Sequence, residues 1–174
     1  MASIDEYAQL SSRVYSAVFD SNRTPVSLGW EQLYWQADTT MGFSAGAYRK
    51  GNEIVISYTG TNQDKLTDFG LANIPLALGL PSPQLVEAIS FYEKIKSSYA
   101  NSDTKITFTG HSLGGGLASL MAVFFNKPAT IFDPAPFQPS AISLSVLASV
   151  QTTLEHKNLN WHESGSEVLW RRAA

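Results

Sequence analysis

The sequence predicts an α/β fold in which a mostly parallel β-sheet is flanked by helices on both faces. Runs rich in β-forming residues alternate with longer segments that keep an apolar face, in the order strand, helix, strand, helix, strand, helix. The runs at 54–56 and 129–132 are short and largely apolar, which is typical of strands buried on both faces. Because the 174 residues contain no repeat, low-complexity tract or linker, we predict a single domain over residues 1–174.

A helix and a hairpin are predicted in the first half of the chain. Ser3-Ile-Asp-Glu6 has the spacing of a capping box, and apolar residues at helical intervals then predict a helix over residues 4–18. Residues 31–37 favour neither type of element. A hairpin is indicated over residues 43–58, because two β-rich runs flank a turn signal at Gly51.

Helices and strands are predicted to alternate after residue 81. Ser82-Pro83 is typical of a helix start, in which a capping residue is followed by proline at the first helical position. The other predicted elements are a strand at 104–109, a helix at 117–125, a strand at 129–132 and a helix at 141–150.

The composition excludes several kinds of site. Cysteine is absent, so the chain has no disulfide, thiolate zinc site, iron–sulfur cluster or cysteine nucleophile. The three histidines lack the H-x-x-x-H spacing of a metal site and no glycine-rich phosphate loop is present, so we predict no metal and no cofactor. The 12 Lys and Arg residues against 15 Asp and Glu residues give a net charge of −3, which argues against a nucleic-acid partner.

No segment of the sequence predicts insertion into a membrane. The acidic start of the chain lacks the order of basic, apolar and small residues that marks a secretory signal peptide. The longest apolar stretch, around residues 120–125, is far shorter than the roughly 20 residues that span a bilayer. We therefore predict a soluble protein without a transmembrane segment. Two locations stay open, namely the cytoplasm or export by a non-classical route, and no protein partner is indicated.

The strongest functional signal is Gly110-His111-Ser112-Leu113-Gly114, which matches the G-x-S-x-G pattern of a nucleophile elbow. The motif lies between a β-rich run and a helix that is predicted to begin near Gly114, which is the context that an elbow requires. A serine at a helix N-terminus also lies where the helix dipole and the free N–H groups favour a developing oxyanion. We therefore predict that Ser112 is a catalytic nucleophile.

With these residues, the chain resembles the class 3 lipases, the fungal-type branch of the α/β-hydrolases. Residues 110–115 are similar to the nucleophile motif of that family. Residues 54–61 resemble its strand that ends in an Arg-Gly-Ser/Thr turn, with Thr59 in place of the arginine. Shorter likenesses lie at 66–69 and 130–136, and together they cover about residues 3–140. The resemblance implies an α/β-hydrolase fold.

The resemblance also implies an oxyanion hole and a lid. Thr61 would donate one hydrogen bond to the oxyanion, and the N–H of Leu113 would donate the other. The apolar, proline-containing stretch 72–85 lies where the family carries its lid. Two interpretations of this stretch are open, namely a lid that contacts a lipid surface or an ordinary loop that packs on the core.

The acid and the base are less clearly marked, because this fold places an acid and then a histidine after the nucleophile. His111 lies inside the elbow motif, so we expect it to be structural. His156 and His162 lie in a polar stretch, and His162 is taken as the candidate base. Glu167 resembles the acid-x-Val segment of the family and is the candidate acid, with Asp133 as its competitor.

No histidine follows Glu167, and this leaves two alternatives. Either one of the two late histidines serves as the base in an unusual order, or the catalytic histidine lies beyond Ala174. We favour the second alternative, in which the predicted domain lacks its C-terminal part.

These observations predict a serine hydrolase that cleaves carboxylic esters of lipids through an acyl-enzyme on Ser112. It would be of the triacylglycerol lipase or phospholipase type, with a lipid or ester as its substrate. One alternative is a catalytically incomplete hydrolase-fold module that binds lipid or a protein partner. Another is an esterase for small soluble esters.

Overall fold

A five-stranded β-sheet forms the centre of the computed structural model, which describes residues 1–16, 24–37, 39, 42–60 and 82–155. Its strands lie in the order β1 (Glu31–Gln36), β2 (Ala45–Lys50), β3 (Glu53–Tyr58), β4 (Lys105–His111) and β5 (Ala129–Phe132). The helices of these ranges are α1 (Ile4–Arg13), α2 (Pro83–Tyr99), α3 (Leu113–Phe125), α4 (Gln138–Ile142) and α5 (Leu144–Glu155). None of them is long and apolar enough to cross a membrane.

The predicted α/β class is confirmed, and the sheet is mixed. β1, β2 and β3 pair antiparallel, whereas β3, β4 and β5 pair parallel. The predicted hairpin turns at Gly51, whose φ of 60° suits glycine. β1 comes from the segment that the sequence left undecided. The parallel register of β3 and β4 ends with Tyr58 opposite Gly110, so both strands lead into the same edge of the sheet.

Hydrophobic residues are buried on both faces of the sheet. Ile54 and Ile56 of β3 belong to a large cluster with α2 and α3, whereas Val55 belongs to a second cluster with Tyr7 and Leu10 of α1. Successive residues of a strand point to opposite faces, so this run of three apolar residues requires a cover on each side. Burying one such side chain contributes roughly 1.5–3 kcal/mol. α1 therefore lies on one face, and α2 and α3 lie on the other.

α1 begins as predicted and ends earlier. The capping box is present, since the Glu6 N–H donates to Ser3 Oγ at 3.2 Å and the Ser3 N–H donates to Glu6 Oε2 at 2.9 Å. The predicted helix over 4–18 is wrong at residues 14–16, and residues 17 and 18 lie outside the described ranges. The N–H groups of Tyr15 and Ser16 bond to carbonyls three residues back, which tightens the chain into a turn.

Two other helices differ from their predicted bounds. α3 begins at Leu113, directly after the elbow serine, which agrees with the start predicted near Gly114 and lies four residues before the apolar run predicted at 117–125. The single helix predicted at 141–150 is wrong, because Ser143 is extended with φ −75° and ψ 124° and separates α4 from α5. The predicted bounds of β5 are confirmed.

Candidate active site

Ser112 lies in the turn between β4 and α3, and its side chain is exposed. Its backbone has φ 55° and ψ −125°, a region that residues with a side chain rarely adopt and that costs about 1–3 kcal/mol. A strained, exposed serine between a strand and the first residue of a helix is the geometry of a nucleophile elbow. The G-x-S-x-G segment therefore has the strand–turn–helix context that the sequence predicted.

Three backbone hydrogen bonds hold Ser112 in this conformation. Its N–H donates to the carbonyl oxygen of Phe132, at the end of β5, at 3.1 Å. Its own carbonyl oxygen accepts from the N–H of Gly116 at 3.0 Å and from the N–H of Ala135 at 2.9 Å. The first turn of α3 and the segment after β5 thus stabilise a backbone that would otherwise relax.

The two outer glycines of the motif are required by close backbone contact. A Cβ on Gly110 would lie 2.4 Å from the carbonyl carbon and oxygen of Gly114. Gly114 itself lies against the carbonyl oxygen of Tyr58, at the end of β3. These contacts leave no room for a side chain, so the first turn of α3 packs directly against the ends of β3 and β4.

The backbone nitrogen of Leu113 lies beside the loop that follows β3. As the first residue of α3, Leu113 has an N–H with no carbonyl partner within the helix. A Cβ built on Gly60 would lie 3.4 Å from the nitrogen of Leu113, so the backbone of Gly60 runs beside that N–H group. Thr61, the predicted second oxyanion donor, is the next residue in sequence and lies outside the described ranges.

The hydroxyl group of Tyr15 joins this loop to the elbow, a contact that the sequence analysis missed. Its Oη accepts from the N–H of Gly60 at 2.7 Å and donates to the carbonyl oxygen of His111 at 3.1 Å. Tyr15 is 39% exposed, and its partial burial raises the pKa of its hydroxyl group above the usual value. The hydroxyl group is therefore neutral at neutral pH, as an ordinary tyrosine also is, and can donate. The sequence offered one indication of this contact, namely that Tyr15 directly follows Val14, a residue of the apolar face of the predicted first helix.

Thr59, which stands where the class 3 lipases carry arginine, is bonded to Ser44. The Thr59 hydroxyl donates to the carbonyl oxygen of Ser44 at 2.9 Å. It accepts from the Ser44 N–H at 3.2 Å and lies 3.1 Å from Ser44 Oγ. Both residues are buried, with 7% of each exposed. Thr59 therefore attaches the end of β3 to the segment that leads into β2.

The candidate acid and base are mostly outside the described ranges. His156, His162 and Glu167 all lie there, and so does the segment 66–69. Asp133 is described: it is exposed, has φ 43° and lies between Phe132 and Ala135, which both bond to Ser112. It thus occupies the turn that supports the elbow. The His111 side chain is also exposed, and its carbonyl oxygen is the group that Tyr15 contacts.

The predicted lid segment 72–85 is wrong at its last four residues, 82–85. Residues 82–85 do not belong to an exposed loop, because Ser82 is the N-cap of α2 and the next three residues form its first turn. Leu85 is 2% exposed and lies in the large hydrophobic cluster. The rest of the predicted lid segment, residues 72–81, lies outside the described ranges.

An α/β sheet that presents an exposed, strained serine at the N-terminus of a helix is the arrangement of an α/β-hydrolase of the lipase type. Residues 6–169 match the family model of the Tle-like phospholipase domain, a phospholipase-like family. The chain belongs to this family. The lipase-type resemblance that the sequence predicted is thereby confirmed.

Three proteins that this chain is similar to are a phospholipase and two lipases. The extracellular phospholipase A1 of Serratia liquefaciens is 32% identical over 98 residues, which are 56% of this chain and 29% of that protein. The lipase from Rhizopus microsporus var. chinensis matches with a TM-score of 0.49 and 16% identity, over 74% of this chain and 55% of that one. A deletion mutant of Rhizomucor miehei lipase with its propeptide matches with a TM-score of 0.47 and 17% identity, over 82% and 56% of the two chains. The chain therefore spans about a third to a half of the length of these proteins.

Proposed function

We propose that this chain is a serine hydrolase that cleaves carboxylic esters of lipids, and that it forms an acyl-enzyme on Ser112. The observation that carries the proposal is the backbone of Ser112, which holds an exposed hydroxyl group at the N-terminus of a helix of 13 residues. A backbone in a disfavoured region is maintained by surrounding hydrogen bonds, and such strain is concentrated at functional sites.

In this proposal the Ser112 hydroxyl attacks the acyl carbonyl and passes its proton to a histidine base. The N–H of Leu113 donates to the oxyanion that forms, as does Thr61. The N–H of Gly60 already donates to Tyr15, so the donor from that loop has to be a later residue, which supports Thr61. The tetrahedral intermediate expels the alcohol, which takes the proton from the histidine. Water then hydrolyses the acyl-enzyme by the same steps.

Within this chain Glu167 and His162 are the candidate acid and base, and the mechanism is tested on them first. The test compares His162→Gln with His156→Gln and His111→Gln, after each variant has been shown to fold like the wild type. The assignment expects only His162→Gln to slow acylation of Ser112, by about 10²-fold or more. An equal rate in all three variants and the wild type would mean that the base is none of these histidines.

Glycerophospholipids are the substrates that we favour over triacylglycerols. The support is the family itself, which is phospholipase-like, and the name of the Serratia relative. Residues 72–81 would provide the contact with the lipid surface. Rates on mixed micelles of phosphatidylcholine, on emulsified triacylglycerol and on soluble p-nitrophenyl butyrate distinguish a phospholipase, a lipase and an esterase for small esters.

The central experiment is labelling with a fluorophosphonate, which forms a covalent bond with an activated serine. The wild type and Ser145→Ala are expected to label at the same rate, because Ser145 is exposed on α5 and lies outside the elbow. Ser112→Ala is expected not to label. Mass spectrometry of the digested adduct identifies the modified residue. A wild-type chain that neither labels nor cleaves any of the three substrates would favour the non-catalytic lipid-binding module instead.

A further inference from the structure

We propose that Tyr15 is a positioning residue for the oxyanion hole: its hydroxyl group holds the loop after β3 at a fixed separation from the nucleophile elbow. The inference rests on the proposed function, because an oxyanion hole has a role only in a hydrolase. It concerns a residue on the N-terminal segment, far in sequence from both oxyanion donors.

The hydrogen-bond ladder between β3 and β4 would by itself bring the loop after β3 into direct contact with the elbow, so a separate group is needed to hold the two apart. The N–H of Lys105 donates to the carbonyl oxygen of Asn52 at 2.9 Å, and the register pairs Tyr58 with Gly110 at the other end. In a parallel ladder with this register, the even-numbered residues of β3 bond to the odd-numbered residues of β4. Continued by one step, the ladder would join the N–H of Gly60 directly to the carbonyl oxygen of His111.

The Tyr15 hydroxyl is inserted between these two groups. It accepts from Gly60 and donates to His111, so the contact that the next ladder bond would make is bridged by one oxygen atom. The two backbones are thus parted by the width of a hydroxyl group at the point where Gly60 passes Leu113. A hydroxyl group carries one hydrogen to donate and can accept another, so both backbone groups are satisfied.

Tyr15 is itself fixed in relation to the sheet. Its N–H donates to the carbonyl oxygen of Ser12 at 3.2 Å, within the turn that ends α1. Farther back on the same segment, the Tyr7 hydroxyl lies 3.1 Å from both Glu53 Oε1 and Thr107 Oγ1, which attaches α1 to β3 and β4. Tyr15 is therefore carried on an element that is bound to both strands leading into the site.

The test is Tyr15→Phe, with Tyr7→Phe as the matched control. Each variant removes one hydroxyl group with two partners from the same N-terminal segment. The Tyr15 hydroxyl lies beside the elbow, whereas the Tyr7 hydroxyl contacts the first residue of β3 and the third residue of β4. Four quantities are measured in the full chain. They are kcat and KM for p-nitrophenyl butyrate, the inhibition constant of an alkylboronic acid that mimics the tetrahedral intermediate, and the exchange rate of the Gly60 amide hydrogen.

For Tyr15→Phe we expect kcat to fall by about 10- to 100-fold at nearly constant KM, since oxyanion contacts strengthen in the transition state. The boronic acid should bind more weakly by a similar factor, and Gly60 exchange should accelerate at least about tenfold. Tyr7→Phe should lower the melting temperature and leave kcat, boronic-acid binding and Gly60 exchange at their wild-type values.

Wild-type kcat and wild-type Gly60 exchange in Tyr15→Phe would overturn the inference while leaving the hydrolase intact. A rise in KM alone would also overturn it, because a displaced oxyanion donor acts on kcat. Failure of the wild type itself to label or to hydrolyse esters would instead overturn the proposed function, and the role of Tyr15 in the reaction with it. Gly60 exchange would then still decide whether the hydroxyl holds the loop.

Discussion

The carbonyl oxygen of Tyr58 lies where a side chain on Gly114 would begin, since a Cβ at that position would be 2.2 Å from it. At Gly115 the corresponding Cβ would be 3.1 Å from the Cα of Pro134 and 3.2 Å from the carbonyl oxygen of Gly110, contacts that require a shift of only a few tenths of an ångström. Both positions lie in α3, so alanine adds similar helix propensity at each. We expect Gly114→Ala to lower the free energy of unfolding by about 2 kcal/mol or more beyond Gly115→Ala and to abolish fluorophosphonate labelling. Urea denaturation measures the first effect, and equal losses in the two variants would contradict it.

The strain at Ser112 predicts a second difference between two inactive variants. Alanine retains the unfavourable φ of 55°, whereas glycine adopts it without steric cost. We therefore expect Ser112→Gly to be more stable than Ser112→Ala by about 1 kcal/mol, after allowing for the greater flexibility of glycine in the unfolded chain. Chemical denaturation of the two proteins tests this. A glycine variant of lower stability would show that the surrounding hydrogen bonds impose little strain.

Thr59 provides a third prediction, through its contacts with Ser44. Thr59→Val keeps the shape of the side chain and leaves the buried N–H and hydroxyl groups of Ser44 without the Thr59 oxygen. Loss of such partners costs about 1–3 kcal/mol. Thr59→Ser keeps the hydroxyl group and serves as the control, with a smaller loss of stability. If valine proves as stable as serine at this position, the hydrogen bonds contribute little, and the methyl group is what matters.

The carboxylate of Glu6 predicts a dependence of stability on pH. Hydrogen bonds from Lys50 above all, then from the Ser3 N–H and from the Trp30 side chain, lower its pKa from 4.5 to about 2. Because the folded-state pKa is the lower one, the stabilisation is complete above about pH 4.5 and is lost as the pH falls toward 2.

The test of this dependence is Glu6→Gln, studied by urea denaturation at pH 7, 4 and 2. The variant should be less stable than the wild type by about 1 kcal/mol at pH 7, since the site is near the surface, and the difference should disappear near pH 2. Asp5→Asn removes a neighbouring exposed carboxylate that lacks these contacts, so it should retain the wild-type change between pH 4.5 and 2. A constant difference between Glu6→Gln and the wild type at all three values would contradict the prediction.

Features of the site that depend on local sequence could be predicted, whereas those that depend on packing could not. The elbow follows from glycines two residues before and after Ser112, and the bounds of β5 follow from an apolar run between Pro128 and Asp133. The bridge through Tyr15 depends on how α1 crosses the sheet, a relationship between distant parts of the chain. β1 was undecided for a similar reason: its residues are mostly half-buried, so they lack a clear alternation of apolar and polar positions.

The two tyrosine contacts of the N-terminal segment have a consequence for its length. Tyr7 lies within α1, and Tyr15 lies in the turn after it, eight residues farther along the chain. Their partners on β4, Thr107 and His111, are four residues apart, which is about 13 Å along a strand. The N-terminal segment thus contacts β4 at two points, through the hydroxyl groups of its two tyrosines. One residue inserted into α1 after Tyr7 would rotate the turn that carries Tyr15 by about 100° around the helix axis. In the role proposed for Tyr15, the separation of Gly60 from His111 therefore depends on the length of α1.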